Sequence, residues 1–241
     1  MTRGLLVAIG FLTRIPVPAS AFEDGAARER SLAWYPLVGA LIGGVLVALA
    51  WGLRDAAPLL RAALLLAAWI ALTGAMHLDG LADSADAWVG GMGDRARTLA
   101  IMQDPASGPM GVTAIVAVLL LKFAALASAS ASAWPALLLA SLLARAMLVA
   151  LFLATPYVRP GGLGDALQRA PRTACGLALL ASVIVVACCG LRGVVALAAA
   201  LLVLALWRRA CLARLGGCTG DTAGALVEMV EVAVLVASAF A

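Results

Sequence analysis

Pro135-Ala-Leu-Leu-Leu-Ala-Ser-Leu-Leu-Ala-Arg145-Ala-Met-Leu-Val-Ala-Leu-Phe-Leu-Ala154 decides the fold. These residues carry a single charge, and a helix of that length reaches ~30 Å, the thickness of a bilayer's hydrocarbon core. An arginine in such a setting calls for an acid partner. Working outward, similar apolar runs lie near 37–53, 59–76, 111–130, 174–190, 193–207 and 222–241. The fifth and sixth of the seven runs are separated only by a Gly190–Gly193 turn carrying Arg192, so they are expected to form a tight helical hairpin. The reading is an all-α, polytopic integral membrane bundle of about seven transmembrane helices. No repeat or low-complexity linker divides the chain, so 1–241 is read as one domain.

Composition agrees. Of 241 residues, 64% are apolar and 12% charged, and the mean hydropathy is +1.06. A soluble domain carries ~25% charge, and a soluble fold of this size could not hide so much apolar surface. The net charge of +4 then reflects arginines at a membrane surface, and no nucleic-acid partner is expected.

Arginine placement gives an orientation. With the N-terminus cytoplasmic, twelve arginines fall inside (Arg3, Arg14, Arg28, Arg30, Arg95, Arg97, Arg159, Arg169, Arg172, Arg208, Arg209 and Arg214). Only Arg54, Arg61 and Arg192 fall toward the outside, and of thirteen acids only Asp55 does. This is a strong positive-inside signal, and it gathers the chemistry-capable loops on the cytoplasmic face of a bacterial inner membrane. Met1–Arg3 and Gly4–Leu12 resemble the start of a signal peptide, and Ala19-Ser20-Ala21 resembles a cleavage site. Arg14, Pro16 and Pro18 interrupt that pattern, so a retained interfacial or re-entrant segment is expected.

Rare residues exclude several chemistries. The lone lysine, Lys122, is followed by Phe123, which removes Walker A chemistry. Inside an apolar run it is expected to snorkel or to pair. One histidine, His77, cannot build a multi-histidine zinc site. The five cysteines form no C-x-x-C and read as small buried hydrophobes.

The most informative polar stretch is His77-Leu-Asp79-Gly-Leu-Ala-Asp83-Ser-Ala-Asp86. On a helix its three carboxylates fall within ~60° of arc, where like charges repel. A divalent cation would remove the penalty, and an oxygen-only donor set suits Mg²⁺. The alternative is a solvated helix end with Asp79 as N-cap, but no lysine or arginine is interleaved between Arg61 and Arg95. Next come three glycines, 90, 91 and 93, and Asp94, which reads as the N-cap of a short helix that ends at Asp104-Pro105. Arg95 and Arg97 could clamp phosphate oxygens. Asp104 is either a further ligand or a turn former. Downstream, Leu215-Gly-Gly-Cys-Thr-Gly-Asp221-Thr-Ala-Gly224 opens the last run, where Asp221, Glu228 and Glu231 share a face. They could complete the metal site or pair with Arg145. The loop Pro156-Tyr-Val-Arg159-Pro-Gly-Gly-Leu-Gly164 is also glycine-rich and basic, suited to phosphate. Carboxylates for a metal, arginines for phosphates and glycine turns on one surface are the equipment of phosphoryl or nucleotidyl transfer.

These residues resemble the cobalamin-5'-phosphate synthase (adenosylcobinamide-GDP ribazoletransferase) family. The matching stretches are Phe11-Leu-Thr-Arg14-Ile-Pro-Val-Pro18, Trp34-Tyr-Pro-Leu-Val-Gly39, His77 to Asp86, Arg97 to Gly111, Pro156 to Arg159 with Gly162-Leu-Gly164, and Leu215 to Gly224. They run in the family's order over nearly the whole chain. The resemblance implies a bacterial membrane enzyme of late vitamin B12 assembly that joins adenosylcobinamide-GDP to α-ribazole or its 5'-phosphate, releases GMP and requires Mg²⁺. It implies Asp79, Asp83 and Asp86 as metal acids, with Asp104 and Asp221 in support. Arg14, Arg95, Arg97 and Arg159 are the expected substrate contacts, and Asp83, Asp104 or His77 the expected catalytic groups. The chain departs from the family at Ala106, where a basic residue is common; Arg95 or Arg97 is the expected substitute. Expected partners are the two substrates, the lipid bilayer, and either a second copy of the chain or other enzymes of B12 assembly.

Three other functions compete. A lipid-directed alcohol phosphotransferase or prenyltransferase pairs helices with aspartates, but at a different spacing. A corrinoid or ion transporter would explain buried charges and predicts flux without GMP release. A scaffold subunit would tolerate loss of Asp83.

Overall fold

The computed structural model describes residues 2–129, 134–159, 161 and 164–240. Its helices are α1 (Thr2–Leu12), α2 (Ser20–Glu23), α3 (Gly25–Ser31), α4 (Tyr35–Gly52), α5 (Pro58–Thr73), α6 (Met76–Gly90), α7 (Arg95–Ile101), α8 (Pro109–Ser128), α9 (Trp134–Ala154), α10 (Arg172–Cys188), α11 (Gly190–Leu215) and α12 (Gly220–Ser238). Among the described residues there is no strand; one isolated parallel bridge joins Tyr157 to Cys218. Met1, Pro160, Gly162, Leu163 and the run ends Ser130 and Ala241, all used in the sequence reading, lie outside the described residues.

Each predicted apolar run contains a helix, but the 59–76 run breaks after Thr73, and the expected Gly190–Gly193 turn is the first turn of α11, with the hairpin turning at Cys189. The helices long and apolar enough to cross a bilayer singly are α8, α9, α11 and the Gly25–Gly52 stretch that continues through α3 into α4. The α5–α6 pair passes the same test only together and is bent by 87°. Length and composition therefore support four spans, or five with the bent pair. At 17 residues α10 is short, and α12 carries Asp221, Glu228 and Glu231. At 11 residues α1 is ~16 Å long, too short to cross. It stays with the bundle: Leu12 and Ala8 join the core, and Arg14 N–H donates to the Leu72 carbonyl at 2.8 Å.

The bundle is built around α9. Its residues from Leu139 to Val149 are buried in an unbroken run, and α4, α11 and α12 pack around it. On α4, Gly39 and Gly43 let the backbones touch, since a Cβ at either would come within 2.4 to 2.7 Å of α9 backbone atoms. The outer surface is apolar as well: Leu120, Leu121, Leu180, Ile184, Leu202 and Leu206 are all exposed. An apolar exterior is what a bilayer requires and water would not tolerate.

Chain direction assigns two ends. One end holds the C-termini of α5, α9 and α11 and the N-termini of α8, α10 and α12, with α6 and α7. The other holds the C-termini of α4, α8, α10 and α12 and the N-termini of α5, α9 and α11. The motif aspartates Asp79, Asp83, Asp86, Asp104 and Asp221 lie at the first end.

Inside the bundle, the charges of the apolar runs find one another. Lys122 Nζ lies 2.7 Å from Glu228 and 2.5 Å from Glu231, and Arg145 pairs with the other oxygen of Glu231. Lys122 also sits 4.9 Å from the Trp69 ring. Two cations and two anions ordered this way offset much of the cost of burial. The expected acid partner of Arg145 is thus Glu231, and Lys122 pairs rather than snorkels.

Candidate active site

The site is built on the elbow between α5 and α6. Gly74 (φ +68°) and Ala75 (φ +58°) are both left-handed, and together they turn the chain nearly at right angles. The side chain of Arg14 lies across Gly74 at this elbow. Beyond it, α6 presents two faces. His77, Gly80, Leu81 and Ser84 are buried, whereas Asp79 is exposed and Asp83 and Asp86 are half-buried. At ~100° per residue the aspartates fall opposite His77. Asp79 does not cap the helix; that position is Ala75.

Gly80 lets α6 lie directly on the first turn of α12. A Cβ there would come 2.7 Å from the Asp221 carbonyl oxygen, so only glycine permits the approach. Two other contacts hold α12. Thr219 and Thr222 form a reciprocal capping box at its N-terminus. The parallel bridge, with Val158 N–H donating to Cys218 O at 2.9 Å and Cys218 N–H to Pro156 O at 2.8 Å, zips the 155–159 loop to the turn before it. That pairing delivers Arg159, whose guanidinium lies 2.8 Å from the Asp221 carboxylate.

The three α6 aspartates have different surroundings. Asp86 accepts backbone N–H bonds from Gly108 (2.7 Å) and Gly111 (2.9 Å) and so holds the N-terminus of α8. No periodicity in the sequence signals this link. Asp79 is open to solvent. Asp83 lies between them, and its carboxyl is pushed up to about 6 by partial burial, then by the charges of Asp79 and Asp221, against the pull of Arg159. This is the electrostatic signature of a place that favours a cation. Among the described residues, no three His, Cys, Asp or Glu side chains are close enough to cage an ion unaided. Mg²⁺ commonly takes one or two carboxylates and completes its shell with water and substrate phosphates. The donor set fits an ion held in that way.

The remaining candidates lie around this core. Asp94 caps α7, accepting from Arg97 N–H at 2.7 Å. Arg95 and Arg97 are exposed on α7, and Arg95 reaches toward Gly216 at the end of α11. Asp104 is exposed and closes a tight turn by accepting from Ala106 N–H at 2.9 Å. His77 of α6 is 4% exposed, its backbone lies against Gly224 of α12, and its Nδ1 has no partner among the described residues. The fully buried Cys218 thiol is pushed up to about 12, chiefly by burial, which makes it inert. Nearby, Arg214 donates to the Trp88 carbonyl at 2.7 Å, and Trp88 stacks on Trp207 at 5.1 Å, locking α6 to α11.

A cobalamin-5-phosphate synthase family model matches residues 4–239. A curated adenosylcobinamide-GDP ribazoletransferase from Pseudomonas paraeruginosa (strain DSM 24068 / PA7) is 56% identical over 239 residues, covering 98% of each chain. Proteins of the same name from Stutzerimonas stutzeri (strain A1501) and Pseudomonas putida (strain GB-1) are 56% and 52% identical, covering 96% and 95% of each chain. No solved structure matches. With the match running from α1 to the end of α12, the chain belongs to the cobalamin-5-phosphate synthase family.

Proposed function

We propose that this protein is the membrane transferase of late cobalamin assembly that joins adenosylcobinamide-GDP to α-ribazole or α-ribazole 5'-phosphate and releases GMP. The observation that carries the proposal is the family match over residues 4–239, on a chain whose motif aspartates Asp79, Asp83, Asp86 and Asp221 gather at one end of a helical bundle.

In this reading a ribose hydroxyl of the ribazole attacks the phosphorus nearer cobinamide. The bond from that phosphorus to the GMP oxygen breaks, GMP leaves with the electron pair, and the hydroxyl proton passes to a base. The solvent-facing aspartates of α6 suit the base better than His77, which is on the packed face. Asp79 and Asp83, with Asp221 beside them, would hold Mg²⁺, which would supply charge neutralisation at the pyrophosphate. Arg159 sets the charge and orientation of Asp221 through its ion pair. Arg95 and Arg97 are free-standing donors for phosphate oxygens, and Arg14 guards the elbow. Asp86 positions α6 against α8 rather than presenting both oxygens outward. The arginine distribution supports a bacterial cytoplasmic membrane with the acidic end in the cytoplasm.

The test is GMP release by purified, detergent-solubilised protein given both substrates, with Mg²⁺ or excess chelator, beside Asp83→Asn. Release that needs Mg²⁺ and the ribazole and collapses in the variant supports the reading. No release from folded, lipid-supplied protein counts against it.

A further inference from the structure

One cavity lies away from the acidic end. It opens at the opposite end of the bundle, between the C-termini of α4, α8 and α12 and the N-termini of α5, α9 and α11, and holds about 430 Å³. Its wall includes Arg54, Arg61 and Arg192, the three arginines that the orientation count leaves on the arginine-poor side. Arg54 and Arg61 bring like charges together at this cavity, and the counter-charge beside these two is slight. Among the described residues the one acid at this end is Asp55, 90% exposed and 3.7 Å from Arg54. The Arg61 guanidinium reaches only the Arg54 and Ala129 carbonyls, each at 3.5 Å, the outer limit of a hydrogen bond.

The rest of the lining is apolar. Leu65, Leu126, Leu137 and Leu235 form the depth of the cavity, and Trp51 and Trp134, both largely exposed, flank it. Tryptophans beside arginines at a helix end mark the headgroup level of a bilayer. A cationic mouth over an apolar wall at that level matches one chemistry, an anionic head on an alkyl tail.

We propose that this cavity binds an anionic phospholipid, its phosphate between Arg54 and Arg61 and an acyl chain along the leucine wall. The site is remote from the acidic end and independent of the transferase reading.

The experiment is native mass spectrometry of the full-length protein in detergent, titrated with phosphatidylglycerol, with and without millimolar inorganic phosphate, for wild type and for Arg54→Gln/Arg61→Gln. Wild type should retain a phosphatidylglycerol adduct that phosphate does not displace. The double variant should bind about tenfold or more weakly, because both charge-assisted contacts to the phosphate are lost. Thermal unfolding without lipid checks that the variant is folded. Should it not be, Ala50→Trp narrows the cavity and leaves the charges, and it should weaken binding likewise. Equal retention by a folded variant overturns the proposal. So does displacement by inorganic phosphate, which would make the site one for a free anion.

Discussion

The carboxylate of Asp86 accepts the backbone N–H of Gly111 at 2.9 Å, across 25 residues of chain, while its other oxygen takes Gly108 at 2.7 Å. Asp86 is thus an N-cap supplied by a different helix. Asp86→Ala should destabilise the protein by about 1–3 kcal/mol, the cost of orphaning such donors. Asp86→Asn retains one acceptor and should lose less. Thermal unfolding in detergent checks the order. Equal loss in the two variants would mean that charge rather than capping is what matters.

Asp83 predicts a pH dependence. Its carboxyl stands at about 6 in the fold against an ordinary 3.8. Between those values the folded protein holds a proton that the unfolded chain has released, so this group removes stability as pH rises through the window. The proposed Mg²⁺ would compete with that proton, so its apparent affinity should fall as pH drops through about 6. In chelator, the melting temperature should decline from pH 4 to 6.5, and Asp83→Asn should flatten the decline. A variant with an unchanged slope would assign the pH effect to other groups.

The same substitution should cut GMP release by about 10²- to 10³-fold, the scale of losing one preorganised electrostatic group, here through the proposed Mg²⁺ that Asp83 would hold. Steady-state turnover on folded protein measures it. A loss confined to KM would place Asp83 in ground-state binding instead.

Gly80→Ala tests the contact between α6 and α12. The new methyl would meet the Asp221 carbonyl at 2.7 Å, and both partners are helical backbone that cannot turn aside. The expected cost is about 1–3 kcal/mol from overpacking, with activity falling further because Asp83 and Asp221 separate. Retention of full turnover would show that their spacing is not critical.

Lys122→Met leaves Glu228 and Glu231 buried with a single cation, Arg145, and should cost about 3–5 kcal/mol. Lys122→Met/Glu228→Gln restores the balance and should cost less than the sum of its parts. A double-mutant cycle on unfolding free energy reads the coupling.

Much of this architecture was legible from the residues. Runs such as 135–154 and 111–130 are decided by length and hydropathy, which need no partner to be read. Asp94 as a helix cap followed from local chemistry, and the cost of a buried charge called for an acid on the last run to pair with Arg145, without choosing Glu231 among the three there. The elbow was not legible. The run 59–76 reads as continuous, and nothing about Ala75 advertises a left-handed backbone. Nor was the link from Asp86 to Gly108 and Gly111, or the pairing of Tyr157 with Cys218, because strand-like and capping contacts between distant segments leave no periodic trace. His77 illustrates the limit: sequence proximity to the aspartates suggested partnership, and helical geometry puts it on the other face.

The 87° turn at Gly74 and Ala75 also bears on how the chain enters a membrane. A translocon releasing α5 as an apolar arm need not carry α6 after it. The fifteen residues of α6 fold sideways, so its aspartates settle at the interface without crossing oil. Each carboxylate dragged to the bilayer centre would have added about 2.5–3.5 kcal/mol to insertion. The bend lets one nascent hairpin deliver both an anchor and a polar platform in a single step of biogenesis.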